Sequence, residues 1–164
     1  MAINTTPFVS GSILTAAQMT NLPMGYLDNA GATATTAIVG GTNLAVLGKA
    51  FTISAGRRYR ITAALGFQPS ANTTGNGMFF TTSGGMQKIL WYRGDQILAN
   101  YPQYISGSYI TTASALGVAS GTASVTFTLY LRCAGNGLLN TNPDGLAGAG
   151  SAEQIFLVED MGAV

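Results

Sequence analysis

Residues Ala55-Gly56-Arg57-Arg58-Tyr59-Arg60-Ile61-Thr62-Ala63-Ala64-Leu65-Gly66-Phe67 decide how the chain is read. In an extended conformation Tyr59, Ile61, Ala63, Leu65 and Phe67 share one face, and Arg58, Arg60, Thr62, Ala64 and Gly66 share the other. A period of two with one apolar face marks a strand that is half buried and half wet. Ala55-Gly56 supplies the turn that feeds it from a shorter strand around Phe51-Thr52-Ile53. A second stretch matches it in length and polarity. In Thr122–Cys133, Val125, Phe127, Leu129, Leu131 and Cys133 alternate with Thr126, Thr128, Tyr130 and Arg132. The two are expected to face one another as the centre of a β-sandwich.

Working outward, further short strand patterns fall at Thr36–Val39, Lys49–Ser54, Met78–Thr82, Lys88–Arg93, Gln96–Tyr101, Tyr109–Leu116 and Ala152–Asp160. Pro69–Gly77 and Gly135–Ser151 read as long loops, the second carrying the turn signal Asn142-Pro143-Asp144-Gly145. Eight or nine strands with no helical periodicity after residue 24 predict an all-β sandwich of jelly-roll type. Residues 1–24 differ. Thr15-Ala16-Ala17-Gln18 forms a capping box flanked by Leu14 and Met19, and Pro23 ends the short helix. One or two turns cannot stand alone in water, so this segment needs a surface, its own sandwich or another protein. The preferred expectation is an arm whose Phe8, Ile13, Leu14, Met19 and Leu22 dock on a neighbour. The chain thus divides into an arm at 1–24, a connector at 25–35 and a sandwich at 36–164.

Composition narrows the function classes. Charged residues make up 8% of the 164 positions, and hydrophobic residues 47%. An ordinary soluble domain carries about 25% charge. A surface so poor in charge predicts assembly with copies of itself or with neighbours. The net charge is +1 with no basic run, which gives nucleic-acid binding little support. No stretch approaches the roughly 20 apolar residues of a membrane-spanning helix. The N-terminal residues lack the basic region of a signal peptide, so synthesis and use in a cytoplasm are expected. Cys133, the only cysteine, lies on the apolar face of its strand and reads as a buried thiol.

Chemistry is sparse. Without histidine there is no Ser-His-Asp, Cys-His or His-ligated metal site, and neither cofactor nor metal is expected. Six carboxylates are available: Asp28, Asp95, Asp144, Glu153, Glu159 and Asp160. A paired-carboxylate hydrolase would need two distant ones brought together, Asp95 and Asp144 for instance, and catalysis is not expected. Gly48-Lys49 lacks the preceding glycine and the following Ser or Thr of a phosphate loop. Arg93-Gly94-Asp95 reads as hairpin chemistry. Trp91, Tyr92, Tyr101, Tyr104 and Tyr109 concentrate in the middle third; Trp91 and Tyr92 are candidates for stacking on a glycan, against the plainer reading of core or subunit interface. Gln154-Ile155-Phe156-Leu157-Val158 and Ile89-Leu90-Trp91-Tyr92 are apolar on both faces, as in a strand at a subunit contact or simply a central strand. Arg58 and Arg60, with Glu159, Asp160, Phe156 and Val158, are candidates for pairing the sandwich edge or a subunit interface.

Three stretches carry a family resemblance. Gly11-Ser12-Ile13-Leu14-Thr15-Ala16-Ala17-Gln18-Met19-Thr20-Asn21-Leu22-Pro23, then Ala55-Gly56-Arg57-Arg58-Tyr59-Arg60-Ile61-Thr62, then Phe156-Leu157-Val158-Glu159-Asp160-Met161-Gly162 follow one another as in small structural proteins of tailed bacteriophages. The chain resembles the head-decoration, head-fibre and minor-tail proteins of that kind. The resemblance implies a virion component made in a bacterial host cytoplasm and displayed on the particle. It implies a jelly-roll-like domain, usually a homotrimer, with no catalytic residues. The expected partners are other copies of the chain and the major capsid protein or another virion protein, with no nucleic acid and no membrane. The leading expectation is capsid decoration through the arm. The alternative is a tail or fibre module that recognises host-surface glycans.

Overall fold

The computed structural model describes residues 25–32, 36–140 and 154–164. Among them ten strands are formed: β1 (Gly25–Ala32), β2 (Thr36–Ile38), β3 (Asn43–Ser54), β4 (Arg57–Pro69), β5 (Asn76–Thr82), β6 (Gln87–Arg93), β7 (Gln103–Thr112), β8 (Thr122–Arg132), β9 (Gly137–Asn140) and β10 (Gln154–Ala163). All pairings are antiparallel.

The register shows that several strands are pieces of longer lines. β7 pairs with β4 from Arg58↔Thr112 to Phe67↔Gln103 and so occupies one edge of it. Along the other edge β10 runs from Ala163↔Arg57 to Ile155↔Ala64, and β9 continues from Gly66↔Asn140 to Pro69↔Gly137. β9 and β10 are therefore one line interrupted between Asn140 and Gln154. β1 and β2 form a parallel interruption beside it, with Ala32 opposite Gln154 and Thr36 opposite Leu139. Merging these pieces leaves eight lines in chain order. The first sheet then runs 1-8-3-6 and the second, β3-β8-β5-β6, runs 2-7-4-5. Lines 1 and 8, 2 and 7, 3 and 6, and 4 and 5 are neighbours, alternately in one sheet and the other. A long antiparallel ribbon rolled up in this way is a jelly roll.

The alternation seen in the sequence closes the core. Tyr59, Ile61, Ala63, Leu65 and Phe67 of β4 are buried, and so are Val125, Phe127, Leu129 and Leu131 of β8. Phe156 of the first sheet meets Phe51, Phe80 and Phe127 of the second, with ring centroids 5.5–6.5 Å apart in the cluster. The edges approach at β6 and β7 through a glycine. A Cβ on Gly107 would lie 2.2 Å from the Leu90 carbonyl oxygen, so only a bare backbone lets these strands close.

Four expectations need correction. Gly25–Ala32, read as connector, is strand β1; its Gly/Ala-rich sequence shows no alternation, and backbone pairing with β10 makes the strand. Gln96–Tyr101 is no strand. Only Ile97 bridges Thr73, and Asn100 turns the chain with φ 57°. Tyr109–Leu116 is displaced to β7, because Ser106-Gly107-Ser108 hides its first half and Ala113–Gly117 is a turn. Gly137–Asn140, placed in a loop, is β9.

Gly107→Ala should lower stability by about 1–3 kcal/mol through this overpacking. Thermal denaturation matching the parent chain would show that the β6–β7 contact is not limiting.

Candidate binding face at the loop end of the sandwich

The eight-line path gives the two ends of the sandwich different characters. At one end lie the connections 39–42, 70–75, 94–102 and 133–136. They are tied to one another mostly through backbone and amide groups. Gly41 N donates to Cys133 O, Ser70 N to Asn136 O, Ile97 N to Thr73 O and Asn100 N to Pro69 O, all within 2.7–2.9 Å. The Asn136 side chain accepts from Gly40 N, and Asn72 accepts from Ala99 N. Asn76, fully buried, exchanges hydrogen bonds with Thr73 and accepts from Ala134 N. We call this the loop end. At the opposite end β1 begins at Gly25, opposite Asp160, and Val164 N donates to Gly56 O.

This opposite end carries the acidic and basic groups of the opening strand. Arg60 holds Glu159 with two bonds, Nε to Oε2 at 2.7 Å and Nη2 to Oε1 at 3.0 Å. Those hydrogen bonds hold the Glu159 carboxyl below the usual carboxylate range, against the opposing effect of burial, and the positive charge of Arg60 adds to the lowering. Asp160 pairs with Arg57, the first arginine of the opening strand, and the side chains are 7% (Arg57) and 2% (Asp160) exposed. Its second oxygen accepts from Gly162 N at 2.8 Å. Arg58 forms no ion pair among the described residues. The cause is geometric: the strand register sets Arg60 opposite Glu159, whereas Arg58 lies opposite Gly162, across the bulge that follows Asp160.

Phe156 and Val158, candidates for a subunit interface, are buried inside this single chain. Their strand places them inward, with Phe156 in the four-ring cluster; Ile155, Leu157 and Glu159 take the outer face. Trp91 and Tyr92 do not form one stacking platform, since neighbours on a strand point oppositely. Trp91 faces inward with its ring edge-on to Phe67 at 6.3 Å. Tyr92 faces out and is 63% exposed. Asp95 is held by Arg93 at 2.8 and 3.0 Å, a pairing that lowers its pKa first through the hydrogen bonds. Phe8, Ile13, Leu14, Met19, Leu22 and Asp144 lie outside the described residues.

One feature of the loop end escaped the sequence. A cleft of about 510 Å³ opens on the outer face of the second sheet, lined by residues including Asn43, Gly77, Phe79, Ile89, Tyr92 and Arg132. Registers place Asn43, Arg132, Gly77 and Tyr92 in a single row across β3, β8, β5 and β6. Tyr92 lies across glycines: a Cβ on Gly77 would sit 3.5 Å from its Cδ2, and one on Gly94 3.5 Å from its Cε1. Behind this row Phe79 stacks on Tyr130 at 5.1 Å, with an interplanar angle of 10°. The only sequence signal was the outward alternation of Tyr130 and Arg132; the row itself needs cross-strand register.

No protein-family model matches the sequence, nor does any curated protein. Among solved structures, that of infectious bursal disease virus, Gx strain, is similar over 87% of this chain at 14% identity and a TM-score of 0.47. The Gt strain of the same virus gives 11% identity over 87% at a TM-score of 0.44. The chain spans about 37% and 38% of the length of these two. The CBM22-1 xylan-binding domain from Paenibacillus barcinonensis Xyn10C is similar over 83% of this chain and 87% of its own, at 11% identity and a TM-score of 0.33.

Asp160→Ala should destabilise the fold by about 3–5 kcal/mol, because it breaks the buried ion pair with Arg57 and removes the acceptor of Gly162 N. A chemical-denaturation midpoint unchanged from the parent would contradict this. Acidification provides a second test. Glu159 binds its proton less readily folded than unfolded, so its contribution is present above the ordinary carboxyl pKa and fades as pH falls through the depressed value. Asp95 acts in the same sense. Glu159→Gln should therefore flatten part of the fall in melting temperature between about pH 5 and 3; superimposable profiles would exclude this contribution.

Proposed function

We propose that the chain is a non-enzymatic virion structural protein, of the capsid-decoration or head-fibre kind, that docks through residues 1–24 and assembles as a homotrimer. Its partner on the particle is the major capsid protein or another virion protein. The observation that carries the reading is the polarity of the sandwich. The chain enters at Gly25, at the end where Asp160 and Val164 are held, while the knitted loops sit at the far end. A docked N-terminal segment thus directs the loop end away from the particle. The low charge of the chain and the exposed apolar residues Ile110 and Tyr104 on the outer face of the first sheet support burial of further surface by assembly. The jelly roll itself serves many functions and adds no weight to the choice.

A second reading, a tail or fibre module that recognises host-surface glycans, draws support from the outward cleft beneath Tyr92.

Removing residues 1–24 should leave a folded trimer, by sedimentation and circular dichroism, that no longer binds particles under electron microscopy. Decoration by the truncated chain at the parent's occupancy would overturn the anchoring role of this segment.

A further inference from the structure

The four-residue row at the loop end has a composition suited to one class of ligand. Gly77 contributes no side chain, so it leaves a trough between its two neighbours, Tyr92 on β6 and Arg132 on β8. Two strand spacings put the Cα atoms of those residues about 10 Å apart on the same face, a width suited to one sugar ring. Tyr92 is backed by glycines and presents its remaining surface to solvent. Arg132 is exposed, and among the described residues its guanidinium has neither an ion pair nor a side-chain hydrogen bond; the same holds for the Asn43 amide beside it. On the opening strand, Arg57 and Arg60 take Asp160 and Glu159. Arg93 takes Asp95. Among the described residues, Arg132 thus stands over an open cleft with its fork of donors unspent.

We propose that this cleft binds an acidic saccharide. The apolar face of the sugar ring lies on Tyr92 and Ile89, and its carboxylate is taken by Arg132 with Asn43 alongside. A ring with a polar tip suits a wet sugar face. A guanidinium matches a carboxylate with two parallel hydrogen bonds, which fixes orientation as well as charge. The cleft volume of about 510 Å³ lies within the range of small-ligand sites. This inference rests on the glycan-binding reading and is independent of anchoring by residues 1–24.

The test uses the full chain and a matched pair of oligosaccharides, one ending in glucuronic acid and one in glucose, titrated by nuclear magnetic resonance. The acidic sugar should bind at least about tenfold more tightly, the difference expected from one charge-assisted contact. Arg132→Gln should reduce the acidic sugar to the affinity of the neutral one, and Tyr92→Ala should weaken both. Both side chains are exposed, and unchanged melting temperatures confirm that the variants fold. Equal affinity for the two sugars, or a preference that survives Arg132→Gln, overturns the acidic-saccharide assignment while leaving glycan binding in place. Binding of neither sugar overturns both.

Discussion

Strand β4 is hydrogen-bonded along both edges, and the rest of the sandwich follows from that. β7 takes one side over ten residue pairs, while β10 and then β9 take the other. A strand with no free edge must be central, and its inner residues must then be covered by the opposite sheet. Tyr59, Ile61, Leu65 and Phe67 meet that demand by being buried, each large side chain contributing about 1.5–3 kcal/mol relative to exposure. A one-residue slip of β4 would turn Arg58 and Arg60 into the aromatic cluster and these four side chains out to solvent. The ion pairs at its start reinforce the same register: Arg60 reaches Glu159, and Arg57 reaches Asp160, only in the observed alignment.

The parts of the fold legible in the sequence were those whose burial is one-sided. β4 and β8 alternate cleanly because one face is core and the other is not, and they were assigned nearly to the residue. β1 and β9 were missed because they are held by backbone ladders whose side chains carry little pattern. β7 was misplaced because its closest approach to β6 needs a glycine, which in a sequence reads as a break. Pairing of the opening arginines with the acidic end is legible as charge scarcity; which arginine takes which carboxylate is set by register, Arg57 with Asp160 and Arg60 with Glu159. The cleft was not legible. Trp91 is a candidate by residue type, yet it is an inward side chain, and the row of Asn43, Arg132, Gly77 and Tyr92 exists only when four strands are aligned.

The two ends achieve rigidity by different means. Near Gly25 a buried ion pair, Arg57 with Asp160, ties β4 to β10. At the loop end, four connections are joined by main-chain hydrogen bonds and by the amides of Asn72, Asn76 and Asn136. Such amides satisfy main-chain donors, and at buried Asn76 a side-chain hydroxyl as well, without placing charge there. That leaves Arg132 as a charged feature on a largely neutral face, consistent with a surface on which a single ionic contact discriminates between ligands.

The end of β9 and the start of β10 are both fixed beside one strand, β4. Asn140 and Ile155 are held opposite Gly66 and Ala64, so the chain leaves and rejoins the sheet at points about 7 Å apart. Closing a loop between anchors so fixed costs only about 0.6 kcal/mol more for each doubling of its length. Adding or removing residues between these two anchors should therefore cost the fold little. Variation in chain length between Asn140 and Gln154 thus leaves the register of β4, and the core it covers, as a fixed chassis.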